Sequence, residues 1–314
     1  MFFRAKDINR SFDGRLVLHD VSFSVGQGDI VSFIGPSGVG KTTLLKIIAG
    51  LDEPDSGNLH FKQQPSRENP VILVFQDYLL FPNLTVFENA AFGLRARKVA
   101  DNEIERRVME LLDHFKLADR RSHYPTELSA GQQQRVAIAR AMVVNPAMLL
   151  LDEPFANLDR NLKLSTAEFI RDTQKEFGVT TIAVTHDQEE AFLMSDAVGV
   201  MLDGHLAQFA PADEIYASPA SLDVAEFLGP INVLPPKLAK LLGLNHAKNG
   251  NHLARPENLC IEPHPNGFAT VKHVMFVGHY TKYVVQMDKT VLIIFDADNS
   301  FKRGDKVNLS LKNL

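Results

Sequence analysis

A single cysteine, Cys260, occurs in 314 residues, so no intrachain disulfide can form and the chain is compatible with a reducing compartment. Its plain reading is a small strand or loop residue. No apolar run approaches the ~20 residues that a bilayer span requires. The N-terminal "MFFRAKDINRSFDGR" is interrupted by charges too early for a secretory signal. A role at a membrane therefore requires another chain to cross it. An excess of basic residues is missing as well. The formal net charge is −5 and the pI near 6.1, so no global positive field draws the chain to nucleic acid or anionic lipid, and no nucleic-acid partner is expected. Internal repeats and low-complexity tracts are absent too. What is present is 45% hydrophobic residues, enough core for one large domain or two smaller ones.

From residue 1 to about 229, strand-like apolar runs alternate with helical periodicity. "DIVSFIG" precedes "KTTLLKIIAGL", "AMLLLDEP" precedes a helical 160–177, and "PVILVFQ", "VTTIAVTH" and "AVGVML" supply further strands. That order predicts the α/β class, with a mainly parallel sheet and helices on its faces. In "DNEIERRVMELLDHFKL" (101–117), Ile104, Val108, Leu111, Leu112 and Phe115 recur at the spacing of an amphipathic helix. After "FLGP", residues 231–250 carry a proline pair and "HAKNGN", the composition of a boundary. "TVKHVMFVGHYTKYVVQM" and "TVLIIFDA" then read as strands, so a small all-β domain is expected at 232–314.

"GPSGVGKTT" (35–43) fits G-x-x-x-x-G-K-[ST] between the expected strand Ile30 to Ile34 and a helix starting near Thr42, the context of a P-loop. Gly35, Pro36, Ser37, Gly38 and Gly40 make a phosphate-binding loop, with Thr43 behind them, in which the glycines at 35, 38 and 40 allow backbone N–H groups to close around phosphate oxygens. Lys41 supplies charge for the β- and γ-phosphates, and Thr42 a hydroxyl for Mg²⁺. In "AMLLLDEP", four apolar residues deliver Asp152 and Glu153 to a strand's C-terminal end, where parallel sheets bind ligands. Asp152 is suited to hold Mg²⁺ through its water shell, and Glu153 to activate a water as general base. His186, after "TTIAVT", and Gln76, after "VILVF", end two further strands. His186 is placed to touch the γ-phosphate and fix the water, and Gln76 is a candidate for Mg²⁺ or the water.

These residues in this order resemble the nucleotide-binding subunit of an ATP-binding-cassette (ABC) transporter, over about residues 3–229. The matching motifs are Walker A at 35–42, the Q-loop at Gln76, the signature "LSAGQ" at 128–132, Walker B at 148–152 with Glu153, the D-loop "NLD" at 157–159 and the H-loop at His186. The resemblance implies ATP and Mg²⁺ as cofactors, a helical subdomain at about 80–145 within a cassette at 1–231, and an aromatic residue stacked on adenine. Phe12 holds that last place, where the family often has Tyr. It also implies a homodimer in which two cassettes meet head to tail, so that Ser129, Gly131 and Gln132 of one face the γ-phosphate held by the other, with Asp159 at the same seam. The physics agrees: Ser129 begins a helix whose unpaired N–H groups suit an anion. One departure is Ala130 where the family has glycine, adding a methyl at a place where positive φ or close approach could be needed.

The apolar "QDYLLFPNLTVFENAAFGL" (76–94) is implied to form a groove that grips a cytoplasmic helix of a membrane permease; Leu79, Leu80 and Phe81 are too apolar for plain surface, and some of them should line a contact. "LARPENLCIEP" (253–263) resembles the small β-barrel (TOBE-like) domain appended to importer cassettes of the sugar, polyamine, sulfate, molybdate and ferric-iron groups. The expectation is an ATPase at the cytoplasmic face of the inner membrane that energises import through permease subunits, and indirectly an extracytoplasmic solute-binding protein. The alternative is a soluble cassette ATPase acting on ribosomes or DNA. Its relatives carry two cassettes or long insertions, whereas this chain has one cassette, no basic field and an importer-like tail.

Overall fold

The computed structural model describes residues 1–156, 158–244, 252–298 and 300–312. Asn157 of the expected D-loop and the "HAKNGN" stretch at 246–251 lie outside the described residues. The chain divides into two compact units, Met1–Ala220 and Ser221–Leu314.

In the first unit a six-stranded sheet runs in the spatial order Val71–Val74, Met148–Asp152, Thr181–Thr185, Ile30–Ile34, Ala197–Leu202, His205–Ala210. The first five strands are parallel, and the last is an antiparallel edge strand. The three central strands Met148–Asp152, Thr181–Thr185 and Ile30–Ile34 are buried at every position, as expected of parallel strands covered on both faces. One face is covered by the helix Lys41–Ile48 and a three-stranded antiparallel sheet, in the order Arg15–Val25, Phe3–Phe12, Ser56–Phe61. The other face carries the helices Val86–Ala96, Asp101–His114, Ala130–Met142 and Arg160–Phe177.

These helices form where the sequence supplies ends and an apolar stripe. Thr85 and Glu88 close a reciprocal capping box on Val86–Ala96, and Asp159 caps Arg160–Phe177, which stops at Gly178 in the left-handed region (φ 64°). Asp101–His114 buries Ile104, Val108, Leu111 and Leu112, and turns Glu103, Arg106 and Glu110 outward as ion pairs. The helix ends at His114, three residues short of the periodic pattern. Phe115 still packs in the core, reached by the turn that follows.

The second unit contains a five-stranded antiparallel sheet in the order Leu259–Pro263, Lys306–Leu311, Ala269–Phe276, Thr281–Met287, Thr290–Asp296. The two end strands approach one another without pairing in a ladder, so the sheet curls toward the expected barrel. The short strand Asn232–Leu234, followed by the helix Pro236–Leu241, pairs antiparallel with His252–Ala254. The unit begins earlier than the compositional boundary at 231/232, and Arg255 of the "RPENL" box shows why. Its buried guanidinium donates to the carbonyls of Ala225 (2.9 Å), Gly229 (3.2 Å) and Pro230 (3.3 Å), tying that segment to the β domain. Arg255→Ala strips these carbonyls of their donor and is expected to cost at least about 2 kcal/mol. Urea unfolding of the full chain followed by a probe in the second unit checks this; an unchanged midpoint would contradict it.

Candidate functional site

Parallel pairing brings four strand ends to one edge of the sheet. Ile34 is in register with Thr185, and Asp152 with Val184, so Gly35, Glu153 and His186 emerge side by side. Val74 is in register with Leu151, which carries the exposed Gln76 to the level of Glu153 one strand away.

The P-loop closes through its glycines. Gly38 and Gly40 lie at positive φ (79° and 106°), and a Cβ on Gly40 would stand 2.6 Å from Leu18 Cδ2 and 2.9 Å from the Val17 carbonyl. Lys41, at the start of its helix, is 6% exposed and donates to the carbonyls of Gly35 (2.7 Å) and Pro36 (3.0 Å). Desolvation holds its pKa below the ordinary lysine value, against the opposing pull of Glu153 and Asp152. Thr42 Oγ1 donates to Asp152 Oδ1 at 3.0 Å. Burial, reinforced by the neighbouring Glu153, raises the Asp152 carboxyl above the usual range despite that hydrogen bond. Glu153 sits at φ 46°, held by its N–H to the Val184 carbonyl, and its Oε2 lies 3.0 Å from His186 Nδ1. Ser37, Gly38, Gly40, Lys41, Thr42, Thr43 and Glu153 line one cavity.

A hydroxyl, a buried carboxylate in contact with it and a second carboxylate beside them form a hard-oxygen donor set. It suits Mg²⁺, which takes one or two protein ligands and completes its shell with phosphate oxygens and water. Among the described residues no cluster of three or more His, Cys, Asp or Glu makes an all-protein cage.

The signature residues form a separate cluster. Ser129 caps Ala130–Met142 in a capping box with Gln132, its N–H donating to Gln132 Oε1 at 3.0 Å. Gly131 packs on Leu162, where a Cβ would approach to 3.3 Å, and Leu162 N–H donates to Asp159 Oδ1 at 3.0 Å. Ser129, Gly131, Gln132 and Asp159 are thus neighbours, and none of them lines the P-loop cavity. Ala130 is the first helical residue and has no positive φ, so its methyl meets no backbone penalty. Phe12 ends its strand 43% exposed, with the Arg10 guanidinium over its ring at 4.7 Å.

Sequence reasoning missed the wall beside the P-loop, where Arg15, Leu16, Val17, Asp203 and Gly204 line a second cavity with Pro36 to Val39. The Asp203-Gly204 pair between two strands is a hairpin signal that marks this turn. Arg140 was missed as well. From the signature helix its guanidinium donates to the Tyr78 (3.0 Å) and Leu79 (2.9 Å) carbonyls and lies over Phe81. Tyr78 and Leu79, two and three residues past Gln76, both sit at positive φ, and the Tyr78 hydroxyl donates to the Pro154 carbonyl. Burial pushes the Tyr78 phenol up to about 12. Beside them lies an apolar groove of about 420 Å³, lined by Leu79, Phe81, Phe92, Ala137 and Val144 among others. Leu80 does not line it and packs instead on the core beneath.

Comparison with known proteins decides the family. The ABC transporter family model matches residues 18–156, and the TOBE domain model residues 253–313. The spermidine/putrescine import ATP-binding protein PotA of Mycoplasma capricolum is 36% identical over 98% of this chain and 94% of its own length. The chain belongs to the ABC transporter family. It is an ABC ATPase that binds ATP, followed by a TOBE domain. The Fe(3+) ions import ATP-binding protein FbpC of Rhizobium etli is likewise 36% identical, over 98% of this chain and 95% of that one. A solved structure of cbiO1 from Clostridium perfringens, part of an ABC transporter complex, superimposes with a TM-score of 0.65 at 31% identity, covering 69% of this chain and 91% of that chain. A bacterial ABC transporter cassette solved as a dimer matches with a TM-score of 0.59 at 30% identity, over 67% and 98%. Among the described residues of this ABC ATPase, no helix is long and apolar enough to cross a membrane.

The raised Asp152 pKa means that the ionised carboxylate costs folding stability at pH values above its unfolded pKa. Asp152→Asn keeps an acceptor for Thr42 and removes that cost. The ligand-free variant is expected to melt no lower than wild type at pH 7.5, while its Mg²⁺-dependent gain in ATP affinity falls at least about tenfold. Calorimetric melting together with nucleotide titration, with and without Mg²⁺, checks both; a melting point about 4 °C lower, or more, would contradict the electrostatic reading.

Proposed function

We propose that this chain is the ATP-hydrolysing subunit of a solute importer, working as a homodimer at the inner face of the membrane beside separate permease subunits. The observation that carries the reading is the joined pair of contacts at one sheet edge, Thr42 to Asp152 and Glu153 to His186. The P-loop amides and Lys41 bind the ATP phosphates, with Lys41 exchanging its two carbonyl partners for phosphate oxygens. Thr42 and Asp152, with Gln76 alongside, hold Mg²⁺, which when bound offsets charge on the phosphates. Glu153 takes the proton from a water directed at the γ-phosphate. His186, hydrogen-bonded to Glu153, orients that carboxylate and touches the γ-phosphate through its other ring nitrogen. Phe12 stacks on the adenine, with Arg10 covering its other face.

The separation of Ser129, Gly131, Gln132 and Asp159 from the P-loop cavity supports a composite site, in which these groups of a second copy close on the phosphates. The relatives' dimeric cassette has the same fold. The groove at Leu79, Phe81 and Phe92 takes a helix of the permease. Arg140 links its rim to the signature helix, so nucleotide closure and permease motion share one rigid element. The second unit, Ser221–Leu314, serves as a regulatory or dimerisation domain. The relatives' names include polyamine and ferric-ion import, and solute choice falls to the permease and an extracytoplasmic binding protein.

Glu153→Gln removes the base and keeps the size and the His186 contact. Turnover of ATP is expected to fall by about 10²–10⁴-fold with ATP affinity retained. A steady-state phosphate-release assay beside nucleotide titration measures both. Hydrolysis at the wild-type rate would sink the role given to Glu153.

A further inference from the structure

On the far side of the P-loop wall, two imidazoles from different strands point at each other. His19, in Arg15–Val25, places Nδ1 2.7 Å from Nε2 of His205, the first residue of His205–Ala210, with ring centroids 4.1 Å apart. His205 is exposed and His19 half-buried, with 44% of its side chain accessible, and the backbones beneath them are fixed, since His19 N–H donates to the Gly204 carbonyl at 2.9 Å. Neither ring enters the nucleotide chemistry proposed above.

We propose that His19 Nδ1 and His205 Nε2 chelate a transition-metal cation of the imidazole-preferring class, Zn²⁺, Ni²⁺ or Cu²⁺. Three observations support a chelate over a simple ring-to-ring hydrogen bond. First, the spacing fits: two nitrogens at about 2.0–2.1 Å from one cation stand roughly 2.9–3.4 Å apart for angles between square and tetrahedral, a small outward turn of the two rings. Second, a carboxylate stands behind the ligand. Asp20 Oδ2 lies 3.6 Å from His19 Nε2, on the ring nitrogen facing away from His205. A carboxylate there favours the proton on Nε2 and leaves the Nδ1 lone pair free for the cation. Third, Asp20 is itself held. Its Oδ1 accepts from Asn9 Nδ2 at 2.8 Å and its N–H donates to Asn9 Oδ1 at 3.0 Å, at a backbone φ of 49°. Water completes the coordination shell, because the described residues supply no third ligand.

The bound cation staples strand Arg15–Val25 to the edge strand of the six-stranded sheet. The same two segments supply Arg15, Leu16, Val17, Asp203 and Gly204 to the cavity beside the P-loop. Metal occupancy therefore stiffens one wall of the nucleotide site without touching the phosphates.

The test is calorimetric titration of the full, chelator-washed chain with Zn²⁺, Ni²⁺ and Cu²⁺ in excess Mg²⁺. One site per chain is expected, with Cu²⁺ bound more tightly than either Ni²⁺ or Zn²⁺ as imidazole ligation dictates. His19→Gln and His205→Gln should each weaken it at least tenfold, and the double variant should weaken it no further than complete loss of the site. Circular dichroism and melting of the variants confirm that they fold. Binding in the single variants equal to wild type, or no saturable binding to wild type, would overturn the proposal.

Discussion

The in-register parallel pairing of Met148–Asp152, Thr181–Thr185 and Ile30–Ile34 is the constraint on which everything else rests. Strands buried at every position leave their chemistry only at the ends, and parallel pairing sends those ends to one edge. A shift in register between Met148–Asp152 and Thr181–Thr185 would carry Glu153 away from His186 and Asp152 away from Thr42. The polar pairs are short and local, but the sheet is what makes them meet.

Electrostatics at that edge are arranged for a charged ligand. Lys41 is depressed by burial and Asp152 raised by it, so both groups bear a cost in the ligand-free protein. A triphosphate with a divalent cation, bound as proposed, would relieve both at once and so favour this state of the loop. The two positive-φ residues Tyr78 and Leu79, pinned by Arg140, extend the same edge toward the apolar groove. Phosphate site, signature helix and groove thus meet through side chains rather than through loose loops.

Much of this was legible in the sequence, because parallel strands read as apolar runs and the P-loop reads as spaced glycines. Asp152, Glu153 and His186 were legible as residues that directly follow such runs. Less legible was whatever depends on packing between distant segments. Arg255 was visible as part of a box, but its three carbonyl partners were not. Arg140 looks like an ordinary cation on an amphipathic helix until the carbonyls of Tyr78 and Leu79 are seen in front of it. At Ala130 the structure answers the question of backbone conformation: it is the first helical position and has no positive φ, so the methyl strains no backbone. Leu80 was grouped with Leu79 and Phe81 by composition, yet the turn between them sends it inward.

The central claim is that each ATP site is completed by the signature residues of a second copy. Lys41→Ala chains lack the phosphate charge, and Ser129→Arg chains block the signature face, so each variant alone should hydrolyse ATP at a few per cent of the wild-type rate or less. Mixed one to one, the two variants form heterodimers with one intact site, joining the P-loop of one chain to Ser129 of the other. Steady-state ATPase measurement across mixing ratios is predicted to show activity that peaks at equal amounts. A mixture as inactive as its components, or full activity in either variant alone, would contradict the composite site.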